Sequence, residues 1–186
     1  LPVWQRRRQF HRQFVGEIVM KSKENNYAFI DSQNLNLGVR SQGWFLDFLK
    51  FRVYLAEKYG VKVAYLFIGY IQKNQDLYSS LQKCGYVLIF KPTLPDGDGN
   101  IKGNVDADLV LQTMIEFQNY DKAVIVSSDG DFYSLVKYLY GCDKLRMVIS
   151  PYHKTCSSLL RQSAKEKVVF IDNLRQKLEY TKNTAK

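Results

Sequence analysis

A chain of 186 residues is the size of one domain with one sizeable core, and aromatic residues at 14% supply ample core material. The net charge of +9 is uneven: residues 1–23 hold six Lys/Arg against one acid, residues 151–186 eight against three, and the centre is close to neutral. The longest apolar run, Val63–Ile71, is far short of the roughly 20 residues of a membrane span, no apolar segment follows the N-terminal arginines to make a secretory signal, and Cys84, Cys142 and Cys156 with His11 and His153 form neither a disulfide framework nor a zinc motif.

Residues 1–19 fit no helix or strand pattern, so residues 1–23 are expected to be a basic arm or sequence foreign to the domain that occupies 24–186. Tyr27–Asp31 reads as a first strand. Gly43–Tyr59 follows as a helix with Phe45, Phe48, Leu49, Ala56 and Tyr59 on one face, stopped by Gly60. Val61–Gly69 is a second strand of the fully buried type, Gln72–Cys84 a helix closed by Gly85, and Tyr86–Lys91 a third strand. Pro92–Gly103, rich in Pro, Gly and Asp, is expected to be a loop. Val105–Asn119 is helical, Ala123–Ser127 a fourth strand, Phe132–Tyr140 a helix, Leu145–Ile149 a fifth strand, Ser157–Ser163 a short helix, Val168–Ile171 a sixth strand and Leu174–Tyr180 a closing helix. Strands alternating with helices predict an α/β fold, with a mostly parallel sheet of five to six strands covered by helices on both faces.

Three acidic segments stand out within that pattern. Asp31 ends the first strand, Asp106 and Asp108 open the helix after the loop, and Asp129 and Asp131 follow the fourth strand. If the strand order is 3-2-1-4-5, the first and fourth strands are neighbours where the order reverses, and both strand ends face one crevice. Each aspartate alone is better explained as a helix N-cap. Capping, however, does not call for two acids at alternate positions twice over. Carboxylates gathered in one crevice repel one another unless a cation or a proton neutralises them, and an all-oxygen donor set suits a hard divalent ion, Mg²⁺ or Mn²⁺. The expected ligands are therefore Asp31, Asp106, Asp108, Asp129 and Asp131. Asn34, Lys102, Ser127 and Ser128 are the candidates for substrate contact or for holding the carboxylates in place. Asn34 is placed on the loop leaving the first strand.

The segments Phe29–Asn34, Lys102–Asp106 and Ser127–Phe132 resemble the three signature motifs of the NYN domain family, a member of the PIN-like nuclease group that includes the LabA-like proteins. The resemblance covers roughly residues 27–150. It implies a PIN-like, Rossmann-like sheet and Mg²⁺- or Mn²⁺-dependent ribonuclease activity, with Asp31, Asp106, Asp129 and Asp131 as the catalytic acids. Two departures stand out: Ser32 occupies a position where many members have Gly, and Gln112 one where LabA-like members often carry Asp. Asp108, one turn earlier, is a substitute for the latter.

The expected activity is hydrolysis of single-stranded or loop RNA by metal-activated water, leaving 5′-phosphate and 3′-hydroxyl ends. The expected partner is RNA, with no membrane, a cytoplasmic setting, and a homo-oligomer left open. Two rivals compete with this reading. One is a non-catalytic PIN-like module that binds RNA or acts as a scaffold. The other is a metal-dependent phosphotransfer domain, which fits poorly, because Gln33 stands where a haloacid dehalogenase needs a second acid and Lys91-Pro92-Thr93 stands where a receiver needs its phosphorylated Asp.

Overall fold

The computed structural model describes residues 24–91, 94–95, 101–102 and 105–181, so the basic arm lies outside the described residues. In chain order the strands are β1 (Asn26–Asp31), β2 (Val61–Gly69), β3 (Val87–Lys91), the short pair β4 (Leu94–Pro95) and β5 (Ile101–Lys102), then β6 (Ala123–Val126), β7 (Leu145–Ser150) and β8 (Val168–Phe170). Six of them build one sheet in the order β3-β2-β1-β6-β7-β8. All five of its pairings are parallel. Chain order therefore reverses between β1 and β6, and that switch point is where an open α/β sheet leaves a crevice beyond the carboxyl ends of its strands.

The helices are α1 (Ser32–Arg40), α2 (Phe48–Tyr59), α3 (Gln75–Lys83), α4 (Val105–Ile115), α5 (Tyr133–Gly141), α6 (Ser158–Ala164) and α7 (Arg175–Leu178). Strand alternation divides the apolar residues between two cores, because successive side chains point to opposite faces. Ala28 and Ile30 of β1 join Leu35, Phe51, Leu55 and Leu81 on one face. Phe29 joins Leu109, Leu135, Leu139 and Leu160 on the other. Each fully buried Leu, Ile or Phe contributes about 1.5–3 kcal/mol, so the two-faced burial of β1 anchors the strand that delivers Asp31.

Three expectations are corrected. Residues 32–40 are helix α1, not an exit loop. Asp31 caps it by accepting from Asn34 N at 3.0 Å, and Leu35 and Val39, one turn apart, are buried. The following helix starts at Phe48, not Gly43, because Asp47 caps it through Lys50 N and Leu46 is bridged to Glu179. Its buried face is Phe51, Tyr54, Leu55 and Tyr59, whereas Phe45 and Leu49 are exposed. Within 92–103, β4 and β5 pair antiparallel, Leu94 with Lys102 and Pro95 with Ile101. Gly60 ends α2 as expected, at φ 66°, in the left-handed region that favours glycine.

Candidate metal centre

The crevice at the β1/β6 switch point is built by short local devices. In register, Ile30 lies beside Val126 and Asp31 beside Phe67, so Asp31 stands at the end of the central strand. Three residues beyond Val126, Asp129 caps the turn Gly130–Phe132 by accepting from Asp131 N at 3.0 Å. The capping explanation for these two aspartates is thus correct for one oxygen of each, and it does not compete with a role for the carboxylate in the crevice. The buried Ser127 hydroxyl accepts from Asp129 N at 3.1 Å. Ser128 donates both its backbone N and its hydroxyl to Asn34 Oδ1, each at 2.9 Å. Asn34 on α1 therefore ties the exit of β1 to the exit of β6, and the structure engages Asn34, Ser127 and Ser128 with protein groups that set where the acids stand.

Opposite these loops, the first turn of α4 brings in Asp106. Asp106, Asp129 and Asp131 each offer a carboxylate oxygen within 4.8 Å of the others. Asp31 lies outside that triad yet close enough to feel it. Burial, together with the charge of Asp129, raises its carboxyl above the ordinary value despite the bond from Asn34 N. Asp106 is raised in the same way, by burial first and then by Asp129, Asp31 and Asp131. Asp108, two residues further along α4, is not in the triad, and with Asp106 and Asp31 it acts on Lys91. The side chain of Lys102 lies outside the described residues.

Lys91 is the residue that the sequence reading passed over. It ends β3, and burial lowers its ammonium while Asp106, Asp31 and Asp108 pull it back up. A cation near these three acids offsets part of their repulsion. Its signal in the sequence was a lysine terminating the apolar strand Val87–Phe90, the same strand-end position that singles out Asp31.

The sequence pattern of the NYN domain matches residues 27–172. The chain belongs to the NYN domain family. NYN domains fall within the PIN-like nucleases, which places this NYN domain in a group whose general chemistry is phosphodiester hydrolysis with divalent metal. The chain is 24% identical over 163 residues to the low amplitude and bright protein LabA of Synechococcus elongatus, covering 82% of this chain and 87% of that protein. It also resembles the crystal structure of a protein of unknown function from Vibrio parahaemolyticus, with a TM-score of 0.72, 24% identity, and 86% and 98% of the two chains covered. The second likeness shows the shared fold. The match reaches past the three acidic motifs to Asp172, so β7 and β8 belong to the family's domain as well.

Beside Asp31 the NYN domain opens a cleft of about 460 Å³, lined by Ser32, Gln33, Asn36, Phe67 and Ile71 among others. Among the described residues no helix is long and apolar enough to cross a membrane.

Proposed function

We propose that this NYN domain is a Mg²⁺- or Mn²⁺-dependent ribonuclease that cuts single-stranded or loop RNA in a cytoplasmic setting, leaving 5′-phosphate and 3′-hydroxyl ends. The observation that carries this reading is the triad of Asp106, Asp129 and Asp131 within 4.8 Å at the switch point. The donor set fits a hard cation, since every candidate atom is a carboxylate oxygen. The raised carboxyls of Asp31 and Asp106 fit it too, because burial and then neighbouring carboxylates disfavour their charged forms, and a bound cation relieves both effects.

Asp106, Asp129 and Asp131 would hold the ion directly, with Asp31 and Asp108 reaching it through water. When bound, it supplies Lewis-acid activation of a water for in-line attack and compensates charge on the leaving oxygen. The chain's own groups prepare that arrangement. Asp129 is fixed from two sides, by Ser127 at its backbone N and by the Asp131 N that it caps. Asn34 keeps the two strand exits at a constant separation. Lys91, held near Asp31, Asp106 and Asp108, is a cation suited to contact a non-bridging phosphate oxygen. Free Cys84, Cys142 and Cys156 agree with a reducing setting.

The test is incubation of purified protein with a 5′-labelled unstructured RNA in Mg²⁺, in Mn²⁺ and in EDTA, with end-group analysis of the products. Metal-dependent cuts bearing 5′-phosphate, absent from Asp106→Asn, are expected. RNA that is bound but stays whole with either metal would leave the non-catalytic binding module as the reading.

A further inference from the structure

We propose that the groove between α5 and α6 is a track for single-stranded RNA leading to the acidic centre, with a base stacked on Tyr133 and phosphates held by Lys137 and Lys165. The proposal rests on the ribonuclease reading for the identity of the polymer, and its test is chosen so that the two fail separately. The groove has a volume of about 490 Å³ and is lined by Tyr133, Lys137, Tyr140, Leu159, Gln162 and Lys165 among others.

Both walls start at the acids. α5 begins directly after the Gly130–Phe132 turn that carries Asp131. α6 is fastened to the same loop, since Ser157 N donates to Ser128 O at 3.0 Å. The bare α-carbon of Gly130 lies so close to Ser157 that a Cβ there would come within 2.6 Å of its hydroxyl oxygen. A polymer lying between these helices is therefore registered against Asp129 and Asp131 by construction.

The lining has the chemistry of a single-strand site, in which aromatic faces accept bases and cations follow the backbone. Tyr133 is 43% exposed and Leu159 53% exposed. Among the described residues no acid lines the groove, and Glu166 accepts from the hydroxyl of the lining Tyr140 at 3.1 Å. Lys167 also lies over the Tyr140 ring, at 5.0 Å, but its ammonium is already engaged, donating to Leu145 O and lying 3.6 Å from Asp143. From Tyr133 to Tyr140 the helix rises about 10.5 Å at 1.5 Å per residue. At the roughly 3.4 Å rise of a stacked strand, that is room for about three phosphates.

Lys165 supplies an independent sign. Its backbone sits at φ 52°, ψ −122°, a conformation natural to glycine and disfavoured for any residue with a Cβ. Residues kept in such strained positions cluster where a side chain has a function. Here the strain sets the Lys165 ammonium 4.5 Å above the Tyr140 ring, at the groove's edge.

The experiment measures binding of a short fluorescein-labelled oligouridylate by anisotropy, in EDTA, over a series of NaCl concentrations. Wild type is compared with Lys137→Gln/Lys165→Gly, with Tyr133→Ala, and with the charge-matched control Lys62→Gln/Lys83→Gln on exposed positions away from the groove. The groove pair should lower the salt slope by about 1.4, two phosphates at about 0.7 each on a single strand, while the control leaves it unchanged. Tyr133→Ala should weaken binding by about 5- to 150-fold with little change of slope. Lys165→Gly should keep or raise Tm, since glycine fits that backbone without strain, so weaker binding is not a folding effect. Superimposable slopes for wild type and the groove pair, an equal drop in the control, or no binding by wild type would each overturn the proposal. Binding that follows the groove variants without any Mn²⁺-dependent cutting would keep the track and discard the nuclease, and cutting with unchanged slopes would do the reverse.

Discussion

Asp31 caps α1 with one carboxylate oxygen while its charge is raised in energy by burial and by Asp129. Two substitutions separate these roles. Asn is as good an N-cap as Asp and carries no buried charge, so Asp31→Asn should keep Tm at or above wild type in EDTA at neutral pH yet lose metal-dependent cleavage. Asp31→Ala should lose cleavage and in addition about 0.5–2 kcal/mol of stability, read by urea denaturation. At Asp129 the same reasoning gives a different balance. Asp129→Asn removes one of the charges raising Asp31 and Asp106; the metal-free variant should unfold at a temperature equal to or above wild type while its turnover falls to background. Near-normal turnover would remove Asp129 from the catalytic set. At this scale the acids were legible because five of them fell at strand ends or a helix start, which capping alone does not require. Lys91 was not, because a lone lysine at a strand end has no pattern until the sheet places it beside Asp31 and Asp106.

Helix α1 was the element the sequence concealed. Ser32-Gln33-Asn34-Leu35-Asn36-Leu37-Gly38 mixes the good helix formers Gln and Leu with Ser, two Asn and Gly, which favour turns, and only Leu35 and Val39, four apart, mark an apolar buried stripe. Tertiary packing, not propensity, makes this helix. Gly38 shows how tightly: a Cβ there would stand 2.5 Å from Pro151 Cγ and 2.8 Å from its Cβ, against a ring that cannot rotate away. Gly38→Ala should therefore cost about 1–3 kcal/mol in spite of alanine's better helix propensity. It should also displace Asn34 from Ser128, lowering turnover beyond the stability loss when assayed well below Tm. A stabilised, fully active Gly38→Ala protein would show that α1 moves freely against the loop after β7. The mistaken phase of α2 has a related cause. Phe45 and Leu49 share a helical spacing with Phe48, but Asp47 caps the helix after Phe45 has passed, and capping sets where the period begins.

At the scale of the whole molecule, the parallel sheet and its two-faced burial followed from strand and helix alternation, since parallel strands need crossovers and crossovers cover both faces, whereas the strand order was an assumption that the observed order β3-β2-β1-β6-β7-β8 matches. What alternation leaves open is how far apart the strand-end acids stand, and that distance decides their linkage to stability. Asp31 and Asp106 have folded-state carboxyls raised above the ordinary value of 3.8. A carboxyl of this kind binds its proton more tightly in the folded than in the unfolded chain. Its favourable contribution is complete below the unfolded value and is lost as pH climbs through the raised folded one. The exposed Asp143 and Glu166 and the half-buried Glu179 shift downward and act in the opposite sense. The site's own share is therefore read as a difference between proteins that keep those groups in common. In EDTA, the Tm of wild type minus that of Asp106→Asn should fall as pH rises from about 4 toward neutrality. Mn²⁺ at a concentration near 100 times its dissociation constant should then add about 2.7 kcal/mol to wild type at neutral pH, roughly 5–10 °C for a domain of this size. The gain should shrink on acidification, because protons and the metal compete for the same oxygens, and should be small in Asp106→Asn throughout. A metal-induced rise of equal size in both proteins would place the ion elsewhere, and a difference in Tm that grows with pH would mean that Lys91 already neutralises these acids without help from a metal.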